Sequence, residues 1–218
     1  MPDYATQRVN MVDSQLSTND VADPRIRSAM AAVAREQFVP TAKRDMAYCD
    51  LPIEVAPGRY LLDPRCFGKL LELAGVRPTD RVLDIGCATG YSAAVLGLLA
   101  KEVVAVEQDD DLAREARDRL ADVGAKNTTV VQNALVEGAK AQAPYDVIVV
   151  EGAVEEPPQA LLSQLGEGGR LVAMVQQRAA QGRAHLFVRE NGRIGSRPDF
   201  DASVPVLVGF RKTVGFVF

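Results

Sequence analysis

Apolar positions along this chain follow two periods, and the change from one to the other divides it. Over residues 3–16 and 24–35 they recur at spacings of three and four, the interval that gathers side chains on one face of a helix. Asp23 stands where a cap belongs and Pro24 at the first helical position, so the sequence predicts a helix start there. Another helix is predicted after Pro64, because Phe67, Leu70, Leu71 and Ala74 keep that spacing until Gly75 ends it. From Arg81 the period shortens. The runs RVLDIG, EVVAVE, TTVVQN, YDVIVVE and GRLVAMV alternate with the amphipathic stretches YSAAVLGLLA, DDLAREARDRLADV and PPQALLSQL. Near-continuous apolar strands separated by helices imply a doubly wound, mostly parallel α/β sheet with right-handed crossovers and helices on both faces. After it, AHLFVRE and an apolar run at 214–218 flank the turn pair Asn191-Gly192, which predicts antiparallel C-terminal strands. Segments 55–59 and 155–158 are candidate linkers, too short to divide the chain. The expectation is one domain: a helical N-terminal extension (1–76), a ligand-binding core (77–176) and C-terminal strands (177–218).

Composition narrows the function classes. The 218 residues are 47% hydrophobic and carry 25 basic against 29 acidic groups, for a net charge of -4. Such a chain can bury a full core, and no apolar run reaches the ~18 residues of a membrane span. A mild acidic excess makes no electrostatic case for a nucleic-acid partner. Cys49, Cys66 and Cys87 are odd in number and far apart, which argues against a disulfide framework or a metal site. The first residues lack the basic and apolar regions of a secretory signal, so a cytoplasmic, reduced, monomeric protein is expected. His185, the only histidine, alternates with apolar residues in a strand-like run and is assigned no role.

The informative stretch is Asp84-Ile85-Gly86-Cys87-Ala88-Thr89-Gly90-Tyr91, a buried strand turning through glycines into a helix. In an open α/β sheet the carboxyl ends of the strands form the ligand crevice, and glycine lets a ligand approach the backbone closely. A dinucleotide fingerprint would need glycines where Ala88 and Tyr91 stand, and no Lys-Ser or Lys-Thr pair follows for a triphosphate loop. What is left is an acid at one strand end, Asp84, a glycine bend, and a second acid, Glu107, closing the next strand. A carboxylate accepts through two oxygens, which suits a vicinal diol, and its charge repels a 2′-phosphate. The pattern therefore points to an unphosphorylated nucleoside. Asn133, after the third strand, either accepts from an adenine amino group or is a plain turn residue. Cys87 reads as the small residue such a turn needs. The acids Asp109, Asp110 and Asp111 read as a helix start, where negative charge complements the dipole.

These residues resemble class I S-adenosylmethionine-dependent methyltransferases. The resemblance narrows at Arg35-Glu36-Gln37-Phe38-Val39-Pro40, Ala47-Tyr48-Cys49-Asp50-Leu51-Pro52-Ile53, Gly90-Tyr91-Ser92-Ala93-Ala94-Val95-Leu96, Pro158-Gln159-Ala160-Leu161-Leu162 and Gly168-Gly169-Arg170-Leu171-Val172. In this order they are similar to the protein-L-isoaspartate O-methyltransferase family. That resemblance implies a Rossmann-like fold, S-adenosyl-L-methionine as cofactor, and esterification of the abnormal α-carboxyl of isoaspartyl residues in protein or peptide substrates. Carried over by position, Asp84, Gly86, Gly90 and Tyr91 would shape the methionine end of the pocket and Glu107 would hold the ribose. Cys87, Ala88, Gln108, Asn133, Ala134 and Glu151 would complete the cofactor lining. Leu61, Leu62, Asp63, Val204 and Pro205 would form the substrate side.

The chain also departs from the family pattern. Leu62 stands where a serine usually helps hold the substrate carboxylate, and Asp63 would bring a like charge if its side chain faced the site. Gln132-Asn133-Ala134 replaces a Gly-Asp-Gly, Ala88 replaces a loop glycine, and Glu151-Gly152 replaces a Thr-Ala pair. A carboxylate acceptor, with a pKa of about 4, is already ionised at neutral pH. No general base is then needed, and positioning with exclusion of water would carry the reaction. No catalytic residue is assigned. Three readings stay open: a carboxyl methyltransferase of isoaspartyl residues, the same cofactor with another acceptor, or a catalytically silent cofactor-binding protein.

Overall fold

The computed structural model describes residues 3–176 and 181–211. Helix α1 (Tyr4–Met11) is capped by Asp3 and runs into a wider π turn (Val12–Leu16), which together match the helix expected over 3–16. Helix α2 (Pro24–Ala32) begins as expected, with Asp23 accepting from the Arg25 N–H at 2.8 Å. It ends short of residue 35, because Val33 is extended and Arg35 starts a tight turn (Arg35–Phe38) that carries its side chain into the core.

Segment 55–59 is not a linker. It contributes to an antiparallel hairpin of β1 (Ile53–Ala56) and β2 (Arg59–Leu61). Strands this short, interrupted by Glu54 and Arg59, carry too few apolar positions to register a period of two. Helix α3 (Pro64–Ala74) follows, started by Asp63 accepting from the Cys66 N–H at 2.8 Å and ended by Gly75 at φ 55°.

The main sheet is built from β3 (Arg81–Ile85), β4 (Glu102–Glu107), β5 (Thr128–Gln132), β6 (Tyr145–Val154), β7 (Leu165–Val175), β8 (Arg183–Glu190) and β9 (Arg193–Asp201). Its order is β5-β4-β3-β6-β7-β8-β9. The strands from β3 to β7 pair in parallel, and β8 and β9 add antiparallel edges. The chain order reverses beside β3, whose neighbours are β4 and β6, so the crevice of the sheet opens at the carboxyl ends of these three strands. The Asn191-Gly192 turn joins β8 to β9 with both residues at positive φ. The partner strand is thus Arg193–Asp201, while 214–218 lies outside the described residues. β9 is a polar, largely exposed edge, so its sequence carries no apolar alternation.

Alternating strand residues supply two cores. On one face Val82, Val103, Ala105, Val147 and Val149 meet α3, α4 (Tyr91–Gly97) and α5 (Asp110–Asp122) through residues such as Leu70, Val95 and Leu120. On the other, Leu83, Ile85, Val104, Val106, Ile148 and Val150 are covered by thinner pieces. These are a single-turn helix (Leu135–Glu137) with Ala139 after it, the four-residue α6 (Gln159–Leu162), and segment 204–210 with Leu207 and Phe210. That last segment is bonded to the bulged end of β6: the Ala153 N–H donates to the Pro205 carbonyl and the Leu207 N–H to the Ala153 carbonyl, each at 2.9 Å.

Candidate active site

β3 delivers the chain into a bend in which Gly86, Ala88 and Gly90 have φ of 85°, 48° and 96°. Left-handed backbone costs glycine little, whereas at Ala88 it is a strained conformation that its surroundings must hold. They do so from two sides. The Ala88 N–H donates to Glu107 Oε2 at 2.9 Å, and the adjacent Thr89 hydroxyl donates to the Phe38 carbonyl at 2.6 Å, tying the bend to the N-terminal segment. Glu107 itself, fully buried, faces the bend as the sequence predicts. It accepts from the N–H groups of Gln108 (2.8 Å), Asp109 (3.1 Å) and Ala88, and from the Arg59 guanidinium Nη2 at 2.6 Å.

Two further acids lie in the same buried pocket of charge. Asp84 Oδ2 accepts from the Ser92 hydroxyl at 2.7 Å, while Oδ1 has no partner. Burial pushes the Asp84 carboxyl up to about 7; the Ser92 hydrogen bond works against the rise and the charge on Glu107 adds to it. Burial raises Glu151 well above the usual range, followed by the negative charge of Asp84, and its Oε1 also lacks a partner. Tyr91 packs edge-on to Phe38 at 5.7 Å under the Arg35 guanidinium at 4.7 Å, its hydroxyl unpartnered. Burial raises the Cys87 thiol far above its ordinary value, so it packs as a small neutral residue of the turn.

Asp84, Gly86, Cys87, Ala88, Gly90, Tyr91, Glu107 and Glu151 are thus gathered around one bend. Gln108 joins them through its backbone. Asn133 donates its side-chain amide to the Gly138 carbonyl at 2.8 Å, which makes it a tie of its own loop, and Ala134 beside it is exposed. On the substrate side Leu61 and Leu62 are buried in the core, and the Leu62 carbonyl accepts from Arg35 Nη2 at 2.6 Å. Asp63 caps α3, its Oδ1 accepting from the Cys66 N–H at 2.8 Å. Val204 and Pro205 lie in the segment hydrogen-bonded to β6, beside an open cleft of about 860 Å³ that is also lined by Gly58, Tyr60 and Gln176.

The sequence assigns no role to two buried arginines, although Arg35 opens one of the motifs of the family resemblance. Arg35 is wholly buried and holds the carbonyls of Ala47 and Leu62; Arg59 is 4% exposed and lies against the bend, 3.1 Å from where a Cβ on Gly86 would stand. Lone arginines among polar neighbours read as surface residues until the fold shows otherwise.

The chemistry of these side chains suits a polar cationic nucleoside, although Arg59 and Leu207 lie against the bend in this structure. Unpartnered buried oxygens on Asp84 and Glu151 are costly unless a positive group or donor meets them, and Glu107 sits where a diol can be held. A parallel sheet of this order, with acid, glycine bend and acid at its switch point, defines a class I S-adenosylmethionine-dependent methyltransferase. Residues 6–204 match the model of the protein-L-isoaspartate(D-aspartate) O-methyltransferase family. The chain is 37% identical over 206 residues to a protein-L-isoaspartate O-methyltransferase of Koribacter versatilis, covering 94% of this chain and 92% of that one. It is 40% identical over 192 residues to a protein of the same name from Methanoculleus marisnigri, covering 88% and 87%. In fold it is similar to a Plasmodium falciparum protein, crystallised with S-adenosyl-L-homocysteine and described as a protein-L-isoaspartate O-methyltransferase, with a TM-score of 0.78 at 18% identity over 95% of this chain and 99% of that chain. The chain belongs to the protein-L-isoaspartate(D-aspartate) O-methyltransferase family.

Proposed function

We propose that this protein transfers a methyl group from S-adenosyl-L-methionine to the free carboxyl of isoaspartyl residues in protein or peptide substrates, as a step of protein repair. The observation that carries the reading is the convergence of Glu107, Asp84 and Glu151 on one buried bend in a chain of this family. Bound there, the cofactor would supply an activated methyl group on a sulfonium. Glu107 would hold its ribose, and the bare oxygens of Asp84 and Glu151 would meet its positive charge. Gly86 lets a ligand lie against the backbone, Gly90 leaves room for Ala116 and Leu120 of α5 to pack on the bend, and Ser92 holds one Asp84 oxygen in place.

The acceptor carboxylate ionises at about 4 and needs no base, so the chain's contribution is alignment and a dry pocket. The cleft beside Val204 and Pro205 is where a peptide would lie. Residues 1–76 supply its substrate-side wall, 77–176 the cofactor core and 177–218 the remainder of one methyltransferase domain. Three cysteines without a disulfide suit a cytoplasmic setting, and no helix among the described residues is long and apolar enough to cross a membrane. Incubation with a labelled methyl donor and an isoaspartyl peptide is expected to give a base-labile methyl ester. Cofactor binding without any such ester would reject the acceptor.

A further inference from the structure

Glu107 already accepts four hydrogen bonds, which matches the roughly four lone-pair sites of a carboxylate. A ribose hydroxyl can join only if one donor leaves. Three of the donors are backbone N–H groups fixed by the bend and by the start of α5. The fourth is the side chain of Arg59.

Arg59 is also under-used where it rests. Only Nη2 has a partner, while Nε and Nη1 are buried with none. A guanidinium presents its donors as a planar fork suited to two parallel bonds with a carboxylate, and burying two of its nitrogens dry is costly. Its backbone is held in β2 between Gly58 and Tyr60, both of which line the cleft. Leu207 stands between that cleft and Gly86, 3.5 Å from where a Cβ on Gly86 would be. An anionic acceptor entering here meets three buried acids. Leu62 offers it no donor, and Arg35 is tied to two carbonyls.

We propose that Arg59 is the residue that holds the acceptor's carboxylate. It rests on Glu107 until a nucleoside diol takes that acid, and then turns its fork toward the acceptor. The assignment rests on reading the site as a carboxyl methyltransferase, and it implies that the cofactor binds first.

The test uses the full chain with Arg59→Gln and Arg59→Lys, each checked for folding by circular dichroism and thermal melting. Calorimetric titration with S-adenosyl-L-homocysteine needs no turnover. Freed of its competitor, Arg59→Gln is expected to bind that product about threefold or more tightly than wild type, and its KM for an isoaspartyl peptide is expected to rise about tenfold or more, with kcat less affected. Wild type is expected to bind the peptide only with the product present. Arg59→Lys keeps the charge without the fork, and its KM is expected to rise about threefold. Should Arg59→Gln not fold, an unchanged KM in Arg59→Lys overturns the assignment. Unchanged product affinity or unchanged KM in a folded Arg59→Gln overturns it as well, while wild-type ester formation keeps the carboxyl-transfer reading. Absence of ester from wild type removes that reading and the assignment with it.

Discussion

The Ser92 hydroxyl donates to Asp84 Oδ2 at 2.7 Å, binding the first turn of α4 to the end of β3 across the glycine bend. This bond stabilises the charged form of a carboxyl that burial has raised to about 7. Ser92→Ala is expected to drive Asp84 higher still. A cationic cofactor favours ionised Asp84, so affinity rises with pH through its titration, and in the variant that rise moves to higher pH. Calorimetry with S-adenosyl-L-methionine between pH 6 and 9 checks the displacement; a superimposable profile would count against a role for Asp84 in holding the cation.

Asp84 and Glu151 make the ligand-free protein sensitive to pH in the direction opposite to an ordinary salt-bridged acid. Their carboxyls are raised on folding, so their contribution is fully present below the unfolded values and is lost as pH rises through the folded ones. For Asp84 that window runs from 3.8 to about 7. Each such group contributes a decline of up to about 1.4 kcal/mol per pH unit inside its window. Glu151→Gln is expected to flatten the fall in stability toward alkaline pH, measured by urea unfolding of the ligand-free chain at a series of pH values.

Glu107→Gln separates two roles of one side chain. Losing the charge leaves the Arg59 guanidinium buried without its counterion, at a cost of about 3–5 kcal/mol in stability. If Glu107 is also the ribose acid, affinity for S-adenosyl-L-homocysteine falls about tenfold or more in protein that is still folded. Denaturant titration reads the first effect and calorimetry the second.

Gly152 is required by packing. A Cβ there would lie 2.6 Å from Leu207 Cγ, so Gly152→Ala is expected to displace segment 204–210 and destabilise by about 1–3 kcal/mol. Trimming the neighbour in Gly152→Ala/Leu207→Ala should recover part of the loss. A double-mutant cycle by thermal unfolding measures this coupling, and additive effects would refute the clash.

The sequence made legible those parts of the site that sit on strongly periodic elements. Asp84, the bend and Glu107 occur at strand ends whose apolar runs leave no ambiguity, and the structure brings them together. The burial of Arg35 and Arg59 was not legible, even though Arg35 opens a family motif, because a buried arginine looks like a surface one until a carbonyl or carboxylate is found opposite it. β1, β2 and β9 were missed or misplaced because two are very short and the third is a polar edge. The capping role of Asp63 could have been anticipated: Asp63-Pro64 repeats the cap-and-proline signal of Asp23-Pro24. For Asn133 the sequence leaves ligand acceptor and turn residue side by side, and its amide donates to the Gly138 carbonyl of its own loop.

Segment 204–210 has a double duty that reaches beyond the pocket. Leu207 screens the bend from the cleft and at the same time belongs to the apolar layer over Ile85 and Val106. Any motion that unbars the crevice must therefore peel hydrophobic cover from the sheet and break two backbone links to Ala153. Ligand entry and local unfolding of this rim become one event, so a molecule wedged behind Leu207 should slow deuterium uptake at Ala153 and Leu207 amides far more than at the distant β8–β9 edge.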